Sequence, residues 1–348
     1  MNRQFPALSG LAIALMVLNH SITLTYETMQ RYGYPPPAGP IGIAFRLLRD
    51  LGVFAVPTFL FIAGAFVAYA ARGDPPSLSR SFVLRSFAHI LWPYLIWSLA
   101  FYGLVFLHYG QKNDVMGYLR SLLTGYPFHF VPLLLLCYLT APLMVVMTRR
   151  HGLMMLVIIG VVQLLLIGIL RKGSLGFVFP PQARALVPPV IGGTLAEWAI
   201  YFPLGLVYAM HSREWTPVLR RMRHILLGAT VVLFVLAWLH FSGRIDFVLA
   251  KYLCPVPFVL CLPLVQRQKI PFLKQLESVG KRSYGVYLTH LLVLDLLLWG
   301  ISALTPGALD YPALLVPILL TLGLVIPLAV MDGVARLPTR GAYRYLFG

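Results

Sequence analysis

Charge is what this sequence lacks. Only 11% of its 348 residues are Asp, Glu, Lys or Arg, against about 25% in a soluble domain. Acid is scarcest: 11 Asp and Glu stand against 28 Lys and Arg, a formal net charge of +17. With 59% hydrophobic residues and a mean hydropathy of +0.80, the composition excludes a disordered chain, an ordinary cytosolic enzyme and a nucleic-acid module. In a soluble protein the excess of base would suit nucleic acid, but here the basic residues fall between long apolar runs. Cysteine is nearly absent too. Cys137, Cys254 and Cys261 lie inside apolar stretches, with no metal-ligand spacing and no disulfide framework. No cleavable secretory signal is evident: Arg3 alone precedes the first apolar run, which has no small-x-small site.

What the sequence has in abundance is apolar runs of a length that suits a bilayer. A helical crossing needs about 20 mostly apolar residues. Ten such runs are read, at 5–26, 50–71, 87–109, 128–148, 153–170, 191–210, 225–241, 247–265, 284–303 and 313–331. They predict an all-α integral membrane protein of about ten transmembrane helices. Prolines at 57, 93, 132, 142, 203, 255, 257, 263, 317 and 327 fall in these runs. Each removes a backbone donor and tends to kink its helix. Broken helices at membrane depth are tolerated where they line a cavity, so an internal cavity is expected, as in an enzyme or a transporter. The connections are short, so residues 1–348 read as a single transmembrane domain with no separate soluble one.

The basic residues orient these spans. With the N-terminus in the cytoplasm, eighteen fall on inside segments and ten outside, a bias that predicts cytoplasmic termini. Arg72, Arg80 and Arg85 belong to the first inside loop, and 266–282 carries five more basic residues. That stretch is placed to meet anionic lipid or an anionic cofactor. Two outer segments are long. Residues 27–49 end in an amphipathic stretch at 41–49 that reads as an interfacial helix. Residues 171–190 are rich in Pro and Gly and carry Arg184. Such loops either connect spans or line an acceptor site.

Ionisable groups within spans are costly, and they mark function or a specific partner. They are few: His20, His89, His129, Glu197, His290 and Asp295, with Asn19 beside the first. His20 lies fifteen residues beyond Phe5, about 22 Å along a helix and so in the outer half of the bilayer. An imidazole there can take a proton from a hydroxyl and return it. Arg85 and His89 are four residues apart and share a face. With Arg80 they form a basic approach to the third span, suited to phosphates or set there by positive-inside charge alone. His129 opens the fourth span, and Glu197 in the sixth needs a partner or a proton. His290 and Asp295 are five apart, so each needs a partner of its own.

Several pieces carry a resemblance. They are Leu8-Ser9-Gly10-Leu11-Ala12 through His20, and Gly52-Val53 through Phe59-Leu60-Phe61-Ile62-Ala63-Gly64. Arg85 through Trp92-Pro93-Tyr94-Leu95-Ile96-Trp97-Ser98 and His129-Phe130-Val131-Pro132-Leu133 through Pro142-Leu143 follow. The last is Arg282-Ser283-Tyr284-Gly285-Val286-Tyr287-Leu288-Thr289-His290. Their order and spacing resemble the acyltransferase-three family of bacterial multispan membrane proteins, over nearly the whole chain.

The resemblance implies transfer of an acyl group, mostly acetyl, from cytoplasmic acyl-CoA to a hydroxyl of a surface glycan or lipid-linked sugar. It implies a bacterial inner-membrane location, membrane lipids as surroundings, no metal and no nucleic-acid partner; an oligomer is compatible with it. The Pro-Tyr-Leu-Ile-Trp-Ser run looks like the polysaccharide-associated branch. His20 occupies the family's essential first-span position as general base, with Glu197 and His290 as further catalytic candidates. Arg80, Arg85, His89 and Ser9 are donor-side candidates, and His129 and Arg184 acceptor-side ones. Ser9 departs from the pattern, because the family usually has Arg or Lys eleven residues before the histidine. A serine cannot replace that charge. Either Arg3 or Arg85 binds the donor instead, or the chain has become a transporter or flippase for a glycan or lipid-linked intermediate.

Overall fold

The computed structural model describes residues 3–71, 73, 75–110, 112–338 and 340–348. Arg72, one of the inside basic residues, lies outside the described residues. The structure is 81% helical, and the described residues contain no strand. The helices are α1 (Phe5–Arg31), α2 (Gly39–Asp50), α3 (Ala55–Ala70), α4 (Arg80–Tyr109), α5 (Val115–Thr124), α6 (Phe130–Leu170), α7 (Gly192–Trp198) and α8 (Tyr201–Met210). They continue with α9 (Ser212–Arg221), α10 (Arg223–Phe241), α11 (Leu249–Leu253), α12 (Pro255–Cys261), α13 (Leu273–Lys281), α14 (Ser283–Leu304), α15 (Pro312–Ala335) and α16 (Arg340–Phe347).

Seven helical stretches among the described residues are long and apolar enough to cross a membrane. Their outward faces carry residues that water would not tolerate in such density. Leu107, Leu143, Leu153, Ile225 and Leu314 are each more than 60% exposed, as lipid-facing side chains are. The chain is therefore a multi-pass membrane protein.

Four apolar runs differ from simple spans. The runs at 128–148 and 153–170 join into the 41-residue helix α6. Straight, it would measure about 62 Å, twice the ~30 Å hydrocarbon core. It is broken at His151, whose φ of −134° and ψ of 33° are not helical. The break falls just after Arg149 and Arg150 and not at Pro142, which stays inside the helix. The run at 191–210 divides into α7 and α8, and the run at 247–265 into α11, α12 and a 3-10 turn at Leu262–Leu264. The stretch at 41–49, read as an interfacial helix, lies within α2.

The chain divides into two compact units whose segments interleave in sequence. The first comprises Met1–Phe5, Val56–Leu91 and Lys112–Ile270. In it α3 packs on α8 through a reciprocal pair of glycines. A methyl group on Gly64 would run into the carbonyl oxygen of Phe202, and one on Gly205 into that of Phe61. Small residues permit backbone-to-backbone approach where no hydrophobic force draws helices together. Phe61 and Tyr208 stack obliquely at 5.8 Å across the same junction.

The second unit comprises Pro6–Ala55, Trp92–Gln111 and Pro271–Gly348. There α1 meets α13 by the same device: Gly10 lies against the Leu276 backbone and Gly280 against that of Pro6. Arg282 pairs with Asp332, tying the start of α14 to the end of α15. The Trp97 indole donates to the Leu346 carbonyl at 2.7 Å and so holds α16 against α4. Asn19, beside His20, turns instead to the end of α2, where its amide donates to the Arg49 carbonyl at 2.8 Å.

Candidate functional site

In the second unit, α1 and α14 bring His20 and His290 together, with ring centroids 5.3 Å apart. His290 is fully buried. Its Nδ1 lies 3.1 Å from the Val286 carbonyl, one turn back on the same helix. A carbonyl can only accept, so Nδ1 carries the proton and Nε2 of the neutral ring is an acceptor. That Nε2 is buried with no hydrogen-bond partner among the described residues. An orphan acceptor is costly unless something uses it. Here it belongs to the ring packed against His20.

The same unit answers the other intramembrane acid. Asp295 takes a hydrogen bond from the Tyr109 hydroxyl, and its other oxygen lies 2.9 Å from His108 Nδ1. His108 stacks on Trp299 at 4.8 Å, and Arg31 covers the Tyr109 ring at 4.3 Å. His290 and Asp295 thus have separate partners, as their five-residue spacing requires. His108 escaped the sequence reading because it lies near the end of a span, where polar residues are ordinary. Ser9 is 6% exposed and adjoins Gly10, one of the tight contacts with α13.

The first unit holds the remaining candidates. Arg80, Arg85 and His89 lie on the first three turns of α4. Arg85 is exposed, and its Nε donates back to the Ser81 carbonyl at 3.0 Å. A cavity of about 500 Å³ is lined by Thr124, His129, Arg171, Glu197, Trp198 and Tyr252, among others. His129 and Glu197, seen separately in sequence, therefore share one wall. Arg184 sits exposed on a 3-10 turn, Pro181–Leu186, and is not among the lining residues. Arg171 and Tyr252 take that place; sequence reading missed both, since one reads as a loop charge and the other as a core aromatic.

Polar contacts organise the cavity wall. Lys251 Nζ meets Glu197 Oε1 at 3.1 Å, so the acid has its partner. Arg171 Nε donates to the Tyr252 hydroxyl at 3.2 Å. That bond, with Glu197 farther away, favours the charged guanidinium and raises its pKa. Beside this wall the hydrogen-bond ladder is interrupted between α7 and α8, although Ala199 and Ile200 keep helical dihedral angles. Pro203 has no N–H and its ring would strike the carbonyl of residue 199, so a continuous helix through this point is disfavoured. Gln163 mends the gap. Its amide nitrogen donates to the Ala196 carbonyl at 3.1 Å, and its oxygen accepts from the Ile200 N–H at 2.9 Å. One side-chain amide thus stands in the place of the missing backbone bond from 200 to 196. Glu197 and Trp198 lie in the turn just before the break.

The family model of the acyltransferase domain, acyltransferase-three, matches residues 7–332. The chain belongs to that family. No curated protein and no solved structure matches it significantly. The family match runs through both units and takes in both sites, the histidine pair and the Glu197 cavity. It makes the chain a membrane acyltransferase in the general sense. Among the described residues no group of three or more His, Cys, Asp or Glu is arranged to hold a metal ion.

Proposed function

We propose that the chain is an O-acyltransferase that moves an acyl group, acetyl in the first instance, from acyl-CoA to a hydroxyl of a surface glycan or lipid-linked sugar. The observation that carries the reading is the His20–His290 pair, two imidazoles 5.3 Å apart in a membrane helix bundle, one with an orphan nitrogen. His20 acts as general base. It takes the proton of the acceptor hydroxyl as that oxygen attacks the thioester carbonyl. The C–S bond breaks, and the departing thiolate takes the proton back from the imidazolium, giving an ester and a free thiol. His290, held in one tautomer by Val286, offers Nε2 to an N–H of His20 or to a developing imidazolium.

Arg80, Arg85 and His89 are the proposed holders of the donor's phosphates, because arginine forks match phosphate oxygens. Ser9 supplies no such charge. His129 and Arg184 are assigned to the acceptor, and Glu197, the further catalytic candidate, shares the cavity wall with His129. The proposed setting is a bacterial inner membrane, with ten spans and both termini in the cytoplasm, which puts the first turns of α4 on the donor's side. The test is transfer of labelled acetyl from acetyl-CoA to surface glycan or lipid in membranes containing the chain. Donor-dependent acceptor labelling supports the reading. The second reading, a flippase for a lipid-linked sugar, draws on the mended break beside the cavity, since broken helices line transport sites. Vesicle uptake of the sugar with no acyl donor, and no labelling with one, would favour it.

A further inference from the structure

We infer that the cavity behind the α7–α8 break is a binding site for a sugar that carries an anionic group, a carboxylate or a phosphate. The inference rests on the acyl-transfer reading only in that the acceptor is a saccharide.

Charge bookkeeping around the cavity sets the sign of the ligand. Glu197 and Lys251 cancel in an ion pair at 3.1 Å. Among the described residues Arg171 has no acid at ion-pair distance: its Nε donates to the neutral Tyr252 hydroxyl, and the Glu197 charge acts on it from farther away. A guanidinium has five N–H donors, and this contact uses one edge. The other edge can fork onto a carboxylate or phosphate. Tyr252 is itself fixed, since Tyr201 donates to its backbone carbonyl at 3.1 Å and its ring is buried. Arg171 is therefore held in place by a rigid neighbour while remaining exposed.

The rest of the wall suits a sugar ring. Trp198 is on the cavity wall and brings an indole, a large apolar ring with one N–H donor, suited to the mixed apolar and polar surface of a pyranose. Thr124 and Thr194 bring hydroxyls, and the Glu197 carboxylate is a strong acceptor for sugar O–H groups. The volume of about 500 Å³ falls within the ~300–1,000 Å³ of small-molecule sites. Apolar ligands are disfavoured, because the ion pair and the guanidinium would be covered without compensation.

The test is a titration of the full chain in lipid nanodiscs, followed by tryptophan fluorescence, with D-glucuronic acid, glucose 1-phosphate and glucose as probes. One or both acidic sugars should change the signal and bind at least ~10-fold more tightly than glucose, and Arg171→Gln should remove that preference. Glucuronic acid ahead of glucose 1-phosphate assigns a carboxylate, and the reverse order a phosphate. Trp198→Phe should abolish the fluorescence response. Should Arg171→Gln fail to fold, Tyr252→Phe replaces it, freeing the guanidinium while keeping the ring, and should weaken the preference several-fold. Equal response to glucose, no response to any probe, or an acidic preference that survives Arg171→Gln overturns the inference. No acyl donor is present, so a failure here is distinct from a failure of acetyl transfer.

Discussion

Two histidines and one glutamine show how much single polar residues decide in an apolar chain. His290 →Phe keeps a ring in the fully buried position and removes Nε2. Transfer should fall about 10²-fold, the usual size of a proton-handling contribution, with little change in the thermal unfolding midpoint. A variant that unfolds early but transfers normally per folded molecule would make His290 a packing residue. Gln163→Leu fits the apolar surroundings better but strips the Ala196 carbonyl and the Ile200 N–H of their shared partner. It should cost about 1–3 kcal/mol, read as a lower unfolding midpoint in detergent. His20, Glu197 and His290 could be named from sequence because ionisable groups inside spans are rare enough to count. Gln163 could not, because an uncharged amide in a run of Leu, Val and Ile carries no charge signal; only the broken backbone opposite shows its use.

At the scale of the helix, the glycines separate tight crossings from open ones. Gly205 faces the Phe61 backbone and Gly64 the Phe202 backbone, while Gly228 on α10 has nothing within 4 Å of where a side chain would begin. Gly205→Ala should loosen the α3–α8 contact and reduce the yield of folded protein in size-exclusion chromatography. Gly228→Ala should be neutral or stabilising by up to ~1 kcal/mol, the helix-propensity difference. Equal behaviour of the two would mean that the close approach is not needed. Hydropathy alone located the long helices, since apolar length is a direct demand of the bilayer. It ran α7 into α8 and α11 into α12, because the breaks lie within apolar sequence and a hydropathy window does not see them. Proline was an uneven guide: Pro203 accounts for one break, while α6 continues through Pro142 and breaks at His151.

For the molecule as a whole, the opening scarcity of charge becomes a map. Three basic residues bracket the second half of α6, Arg149 and Arg150 before its break and Arg171 just past its end. The proposed topology puts positions 150 and 172 on opposite sides of the membrane. In intact cells a membrane-impermeant thiol reagent should label Lys172→Cys and spare Arg150→Cys, which becomes reactive after permeabilisation. Of the native cysteines Cys137 and Cys254 are buried and Cys261 is half-buried, so both variants are made in a Cys261→Ser background. Labelling of both from outside would contradict the ten-span arrangement. Fold class and family were legible at this scale because order and spacing of short motifs survive where each motif alone is weak. The division into two units was not, since each is assembled from three separate stretches of chain.

The proposed role of His20 in moving the proton during acyl transfer is checked by labelled acetyl transfer in membranes carrying His20→Ala at matched protein level. Loss of about 10²–10⁴-fold, with the unfolding midpoint kept, is the predicted result. Undiminished transfer to the acceptor would contradict it.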